Sequence, residues 1–177
     1  MKIILAGPKG TGKSTCGMLL AERLNVDYIE TDVLVEEIFS REFQRRASCR
    51  EICMELGEDE FRRIEAAAVR EAAQLHDVVI STGGGTLMNP ASRHELQQNA
   101  YVVLLIASPD ALWRRTVKNG IPSYLTSDNP AREFKDRVSA VMVELAPFAD
   151  VTLDTGKARP KATVDEILKR LPQLTHS

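Results

Sequence analysis

The sequence predicts a three-layer α/β/α domain in which helices cover both faces of a central parallel sheet. Three observations predict it: short apolar runs alternate with helical patterns, two glycine clusters directly follow apolar runs, and no internal repeat interrupts the order. Strands that alternate with helices run parallel, because each helix carries the chain back along the sheet. Ligands bind at the carboxyl ends of such strands, where both glycine clusters fall.

Five short apolar runs predict the strands of this sheet. The first run begins at Lys2 and ends at Gly7, which opens the first glycine cluster. The third run begins at Val78 and leads into the second glycine cluster, Gly83–Gly85. The predicted strands are residues 2–6, 26–29, 78–80, 101–106 and 151–153.

Helical patterns fill most of the intervals between these runs. Ser48 predicts the cap of a short helix that ends at Gly57, and Ser108–Asp110 begins another with a cap, a proline and an acid in the first turn. The segment Thr163–Glu166 matches a capping box, which predicts the start of the last helix. The other predicted helices are residues 13–24, 32–39, 58–75 and 132–143.

The whole chain, residues 1–177, is expected to form a single domain. Its 177 residues lie within the usual size of a domain with one hydrophobic core. Residues 118–131 are rich in Gly, Pro, Ser, Asn and Asp and are longer than the usual connection between helices. This segment predicts a lid over a ligand site, and an ordinary surface loop is the alternative.

Composition excludes several classes of partner. Lys and Arg total 23 against 25 for Asp and Glu, and a formal net charge of −2 does not attract nucleic acid or an anionic membrane. The first apolar run is too short for a signal peptide, and three cysteines suit a reducing compartment. We therefore expect a cytoplasmic protein, a monomer or weak dimer, that binds neither nucleic acid nor membrane.

The segment Gly7–Ser14 matches the P-loop pattern G-x4-G-K-[ST] between a predicted strand and a predicted helix. Its glycines let backbone N–H groups point at phosphate oxygens, and the helix adds the positive end of its dipole. Lys13 is predicted to reach the β and γ phosphates of ATP, and Ser14 to bind Mg²⁺. No Asn-Lys-x-Asp guanine signature occurs, so the motif predicts a small-molecule or nucleotide kinase. The predicted phosphate-binding residues are Gly10, Thr11, Gly12, Lys13, Ser14 and Thr15.

With this motif in place, the chain resembles the shikimate kinases over nearly its whole length. The resemblance rests on Gly10–Thr15, on Glu30–Asp32 after the second strand, on Gly57-Glu58 with Phe61–Glu65, and on Thr82–Gly85. It implies a P-loop fold like that of nucleoside monophosphate kinases, with ATP and Mg²⁺ as cofactors. It also implies transfer of the γ-phosphoryl group of ATP to a hydroxyl of a small molecule, shikimate, in aromatic amino acid biosynthesis.

The resemblance also implies roles for individual side chains. Asp32 matches a carboxylate that binds the ring hydroxyls of the acceptor and takes a proton, with a helix cap as the alternative role. Arg62 matches an arginine that grips the acceptor carboxylate, with a solvated helix charge as the alternative. Arg115 matches a residue that flanks adenine. The implied acceptor site is Asp32, Arg62, Gly83, Gly84 and Gly85, the implied metal site is Ser14 and Glu30, and the implied catalytic pair is Lys13 and Asp32.

Three departures from the family pattern leave the acceptor open. Glu30 stands where the family has an aspartate, and Ile121 stands where the family has an arginine in the lid. Leu145 and Ala149 replace an arginine and a tyrosine of a later motif. Two alternatives follow: a kinase for another hydroxylated metabolite or nucleoside, and a nucleotide-binding regulator with little catalysis. The cations that could replace the lid arginine are Lys118, Arg132, Lys135 and Arg137.

Overall fold

A computed structural model describes residues 1–122 and 124–171 of the chain. Within these residues, five strands form one parallel sheet in the order β2-β3-β1-β4-β5. The predicted parallel sheet with helices on both faces is confirmed. The strands are β1 (Lys2–Ala6), β2 (Asp27–Glu30), β3 (Val78–Ser81), β4 (Ala100–Ile106) and β5 (Val151–Asp154).

Eight α-helices cover the sheet in the described part of the chain. None of them is long and apolar enough to cross a membrane. Short 3₁₀ turns at Thr86–Met88, Val117–Asn119 and Ala146–Phe148 connect some of them. The helices are α1 (Lys13–Leu24), α2 (Thr31–Phe43), α3 (Cys49–Leu56), α4 (Glu58–Ala73), α5 (Pro90–Gln97), α6 (Pro109–Thr116), α7 (Pro130–Leu145) and α8 (Pro160–Arg170).

The central strand β1 divides the core into two layers. Its side chains alternate between the two faces of the sheet, so Ile4 and Ala6 pack on one side and Ile3 and Leu5 on the other. The first layer includes residues of α2, α3, α4, α5 and α7, and the second includes residues of α1 and α8. Because every residue of β1 is buried, the loop that follows the strand begins from a fixed point.

The start of α8 differs from the prediction. The helix begins at Pro160, one turn before the expected capping box, and Thr163 is buried inside it with its hydroxyl donating to the carbonyl of Arg159 at 3.4 Å. Proline at the first position of a helix needs no N–H partner and already has a helical φ. This proline therefore begins the helix, and the prediction of a cap at Thr163 is wrong.

Two other helix starts follow their local caps. Ser48 and Glu51 form a complete capping box at α3, so the prediction of this helix is confirmed. Helix α5 was not expected from the sequence. Its cap is Asn89, whose side-chain oxygen accepts from the N–H groups of Ala91 and Ser92 at 2.9 and 3.3 Å, followed by a proline at the first helical position. That Asn-Pro pair is the signal that could have predicted it.

Candidate active site

The loop between β1 and α1 lies at the centre of the carboxyl edge of the sheet. Gly7 has φ +132°, and a Cβ atom there would lie 2.1 Å from the carbonyl oxygen of Leu105 on β4. The loop is therefore pressed against the neighbouring strand. Gly12 precedes α1 with φ +89°, and no side chain caps the helix. The first N–H groups of α1 have no such partner, which is the arrangement that binds phosphate at a helix start.

Lys13 folds back over this loop. Its Nζ donates to the carbonyl oxygens of Gly7 and Pro8 at 2.8 and 3.0 Å. Burial lowers the pKa of Lys13 to about 8, and the carboxylates of Asp32 and Glu30 partly offset that effect. The lysine thus shares one charged cleft with two acids, where an anionic phosphate would compete with the loop carbonyls for its protons.

Asp32 lies at the carboxyl end of β2, in the first turn of α2. The helix cap is Glu30, so a capping role for Asp32 is wrong. Burial raises the pKa of the Asp32 carboxyl, Lys13 acts in the opposite direction, and Glu65 is among the acids that raise it further. A carboxylate in this position can accept hydrogen bonds from a hydroxyl across from the loop.

The three consecutive glycines after β3 have unequal surroundings. A Cβ atom on Gly83 would lie 2.4 Å from Oδ1 of Asp32, so glycine leaves room for that carboxylate. The N–H of Gly83 donates to Oγ1 of Thr31 at 2.8 Å, which ties the ends of β2 and β3 together. A Cβ on Gly84 would make ordinary contact with the N atom of Lys9 at 3.6 Å, and one on Gly85 would meet no atom within 4 Å. Close approach therefore requires glycine at position 83.

Arg62 belongs to a network on α4. Its Nη1 donates to Oε2 of Glu65 at 2.7 Å, and its Nη2 donates to Oε1 of Glu58 at 3.4 Å. Glu65 is only 7% exposed, and its other oxygen accepts from the hydroxyl of Thr86 at 3.0 Å. Sequence reasoning did not place Glu65 in the site. Its spacing of three residues from Arg62, which puts both on one helix face, was the available signal.

Arg115 reaches from α6 to the opposite side of the loop. Its guanidinium donates to the carbonyl oxygens of Gly10 at 3.2 Å, Thr155 at 2.8 Å and Gly156 at 2.9 Å. These bonds use the edge of the guanidinium plane, whereas stacking on a base uses its face. Arg115 therefore joins the phosphate loop to the turn after β5 in a way that is compatible with the predicted adenine contact.

Ser14 and Glu30 offer a hydroxyl and a carboxylate near Lys13. The described residues contain no group of three or more His, Cys, Asp or Glu side chains able to hold a metal ion. Mg²⁺ is commonly held by one or two protein oxygens together with nucleotide phosphates, so this pair of oxygen donors fits it. Oε1 of Glu30 accepts a hydrogen bond from the hydroxyl of Tyr28 at 2.6 Å. Burial and this bond raise the pKa of Tyr28 to about 12.

The predicted lid segment contains one residue, Ser123, that lies outside the described residues. Its second half contacts α7: Leu125 packs with Phe134, and the N–H groups of Thr126 and Ser127 both donate to Glu133 at 3.1 Å. Pro130 already belongs to α7. The segment is thus anchored at its carboxyl end.

The two positions where the family pattern has an arginine and this chain lacks one differ in burial. Ile121 is 59% exposed, whereas Leu145 is 4% exposed and belongs to the core. Three of the candidate replacement cations have acidic partners: Arg132 with Asp136 at 3.8 Å, Lys135 with Asp110 at 2.5 Å and Arg137 with Glu133 at 2.9 Å. Lys118 is exposed. None of the four is held in the charged cleft by a contact among the described residues.

The site has two halves. The nucleotide half is the loop Gly7–Ser14 with Arg115, and the acceptor half is Asp32, Arg62 and Gly83–Gly85. A phosphate loop at the carboxyl end of a central parallel strand, with a carboxylate across from its lysine, defines a P-loop phosphotransferase.

Comparison with known proteins agrees with this class. A family model described as shikimate kinase matches residues 9–172. The chain is 33% identical to a shikimate kinase of Thermoanaerobacter pseudethanolicus, with 94% of each chain covered. It is 37% identical to one of Mycobacterium tuberculosis, with 96% of this chain and 93% of that one covered. The chain belongs to the shikimate kinase family.

A solved structure extends the likeness to three dimensions. A shikimate kinase from Acinetobacter baumannii in complex with shikimate superposes with a TM-score of 0.78 and 27% identity, over 95% of this chain and 90% of that one. The prediction of the family from sequence is confirmed. The protein is a small-molecule kinase that uses ATP.

Proposed function

We propose that the protein transfers the γ-phosphoryl group of ATP to a hydroxyl of shikimate, giving shikimate 3-phosphate and ADP. The observation that carries the proposal is that Lys13 folds over the phosphate loop while Asp32 lies against Gly83 of the second glycine cluster, at the same edge of the sheet. Phosphoryl transfer depends mainly on positioning and charge stabilisation, which a lysine at the phosphates and a carboxylate at the acceptor can supply. The reaction serves aromatic amino acid biosynthesis.

The proposed roles follow the two halves of the site. Lys13 neutralises the phosphates of ATP, and the residues from Gly10 to Thr15 hold them with backbone and hydroxyl groups. Ser14 and Glu30 hold Mg²⁺, which neutralises charge on the phosphates when bound. Arg115 flanks the adenine. The support for these roles is the geometry of the loop and the matching family motifs.

In the acceptor half, Asp32 orients the attacking hydroxyl and accepts its proton. Arg62 grips the acceptor carboxylate, for which it must exchange part of its bonding to Glu65. The segment 118–131 closes over the site as a lid, and Gly83–Gly85 keep the space beside the acceptor open. We propose that residues 1–177 act as one domain, as a monomer or weak dimer.

A second acceptor class deserves testing because of Leu145. This side chain lies in the core, where the family pattern has an arginine that contacts acceptor. Without that guanidinium, the acceptor half has less positive charge for a carboxylate. A kinase that phosphorylates another hydroxylated metabolite, one without a carboxylate, would need less positive charge in the acceptor half.

The test follows ADP production by the pure protein with ATP, Mg²⁺ and shikimate, then with sugars, cyclitols and nucleosides in place of shikimate. Turnover with shikimate at ordinary concentrations supports the proposal. Turnover with another acceptor and not with shikimate would identify that other compound as the substrate. Nucleotide binding without turnover would support a regulator. As an internal control, Asp32→Asn should lower the rate, while Asp27→Asn at the exposed start of β2 should not.

A further inference from the structure

We propose that Tyr28 is a positioning residue for the metal side of the site, because its hydroxyl holds the carboxylate of Glu30 in place. The inference rests on the proposed function, in which Glu30 serves Mg²⁺. It explains how the chain uses a glutamate where the family pattern has an aspartate.

The geometry places the two side chains together on one strand. Tyr28 and Glu30 are two residues apart on β2 and so share a face of the sheet. The hydroxyl of Tyr28 donates to Oε1 of Glu30 at 2.6 Å. In the described part of the chain, this is the one hydrogen bond of the Glu30 side chain, which makes no capping bond at α2. The carboxylate therefore takes its direction from the phenol.

Tyr28 is itself held by the core. Its ring packs against the core layer that includes α1. A Cβ atom on Gly17 of α1 would lie 2.5 Å from Cε2 of the ring and 2.7 Å from Oγ of Ser81. Helix α1 therefore has glycine where the ring of Tyr28 and the end of β3 meet it. Because the ring is fixed against the core, its hydroxyl can hold the carboxylate of Glu30 in a fixed position.

Glutamate needs such a contact more than aspartate does. Its side chain has one more rotatable bond, so fixing the carboxylate for a metal costs more conformational freedom. A hydrogen bond already made without the metal reduces that cost, which is how groups behind metal ligands raise affinity. Tyr28 thus compensates for the longer arm of Glu30.

The test measures metal binding directly, without turnover. Binding of Mn²⁺ to the complex of protein and ADP is followed by the paramagnetic resonance of free Mn²⁺, and ADP binding without metal by calorimetry. We expect Tyr28→Phe to weaken Mn²⁺ binding about tenfold and to leave metal-free ADP affinity unchanged. The matched control is Tyr101→Phe, which removes a phenol that donates to the carbonyl of Arg170 at 2.9 Å, and it should change neither quantity.

A double-mutant cycle tests whether the effect passes through Glu30. The side chain in Glu30→Asp is one methylene shorter and loses the bond to the phenol. Adding Tyr28→Phe to Glu30→Asp should therefore change Mn²⁺ affinity less than about twofold.

Three results would overturn the inference: unchanged Mn²⁺ affinity in Tyr28→Phe, equal loss of ADP affinity with and without metal, or additive effects in the cycle. Failure of the proposed function has a different signature, since the unchanged protein would then bind no ADP with Mn²⁺ or would not phosphorylate shikimate. Thermal unfolding of each variant identifies loss of the fold.

Discussion

In the nucleotide half of the site, most of the polar groups come from one continuous segment and many belong to the backbone. In the acceptor half, they come from α2, α4 and the end of β3, which are far apart in sequence and meet through packing. Asp32 faces Gly83, and Arg62 is bound to Glu65. The nucleotide half therefore depends on local conformation, and the acceptor half depends on how several elements pack.

Two of the three departures from the family pattern follow this difference, and the third, Glu30, keeps a carboxylate. The phosphate loop matches its motif at each defined position from Gly7 to Ser14, whereas the missing arginines belong to the lid and to the end of α7. A loop that uses backbone N–H groups tolerates few changes, because its glycines have positive φ. The acceptor half can exchange side chains while the sheet keeps its shape.

The largest expected effect tests the nucleotide half. Lys13→Ala should lower kcat about 10³-fold while the protein remains folded, because it removes the cation that neutralises the phosphates. Steady-state ADP production and thermal unfolding measure the two quantities. Lys9→Ala changes an exposed lysine of the same loop and should alter kcat only a few-fold; equal losses in both variants would contradict the special role of Lys13.

A second variant tests whether position 145 belongs to the core or to the acceptor half. Leu145→Arg should destabilise the protein by about 3 kcal/mol, because it places an unpaired charge in a buried site. Denaturant unfolding measures this change in the free energy of unfolding. Val143→Arg on the same helix, at a position 76% exposed, should stay within about 0.5 kcal/mol. If Leu145→Arg were stable and bound shikimate more tightly, the side chain would reach the acceptor instead.

A pair of glycine variants tests the packing of the acceptor half. Gly83→Ala should lower kcat/KM for the acceptor about 10²-fold, since the new methyl group displaces Asp32. Binding of ADP should change little, because the phosphate loop is not touched. A methyl group on Gly85 would meet no protein atom within 4 Å and would leave Asp32 in place, so Gly85→Ala should lower kcat/KM less than Gly83→Ala does. The idea fails if both variants lose activity equally.

The smallest expected effect is a pH dependence of the nucleotide half. Because the pKa of Lys13 is lowered to about 8 in the free protein and phosphates favour its charged form, ADP affinity should be greatest below pH 8. Above that pH, ADP affinity should fall with a slope that approaches about tenfold per pH unit. The fall ends when the pH reaches the pKa of Lys13 in the complex. Calorimetry from about pH 7 to about pH 9.5 measures it. Lys13→Ala should remove the dependence, and a dependence that persisted would have another source.

The prediction of the fold was accurate where a local pattern decides the element. Apolar runs placed the strands, a cap placed the start of α3, and α1 begins and ends where its pattern indicated. The errors occurred where two local signals competed or a signal was passed over: Pro160 begins α8 before Thr163, and Asn89 caps the unpredicted α5. The predictions of a cytoplasmic location and of the oligomeric state stay predictions.

By itself, the sequence determined the parallel sheet, the phosphate loop and the family, because these depend on short-range patterns of glycine, charge and apolar residues. Only the tertiary structure decided the surroundings of Glu65, Leu145 and Gly83, and the contact of Tyr28 with Glu30. Burial and contact distance arise from the packing of distant segments, and a single sequence does not contain them as a local pattern.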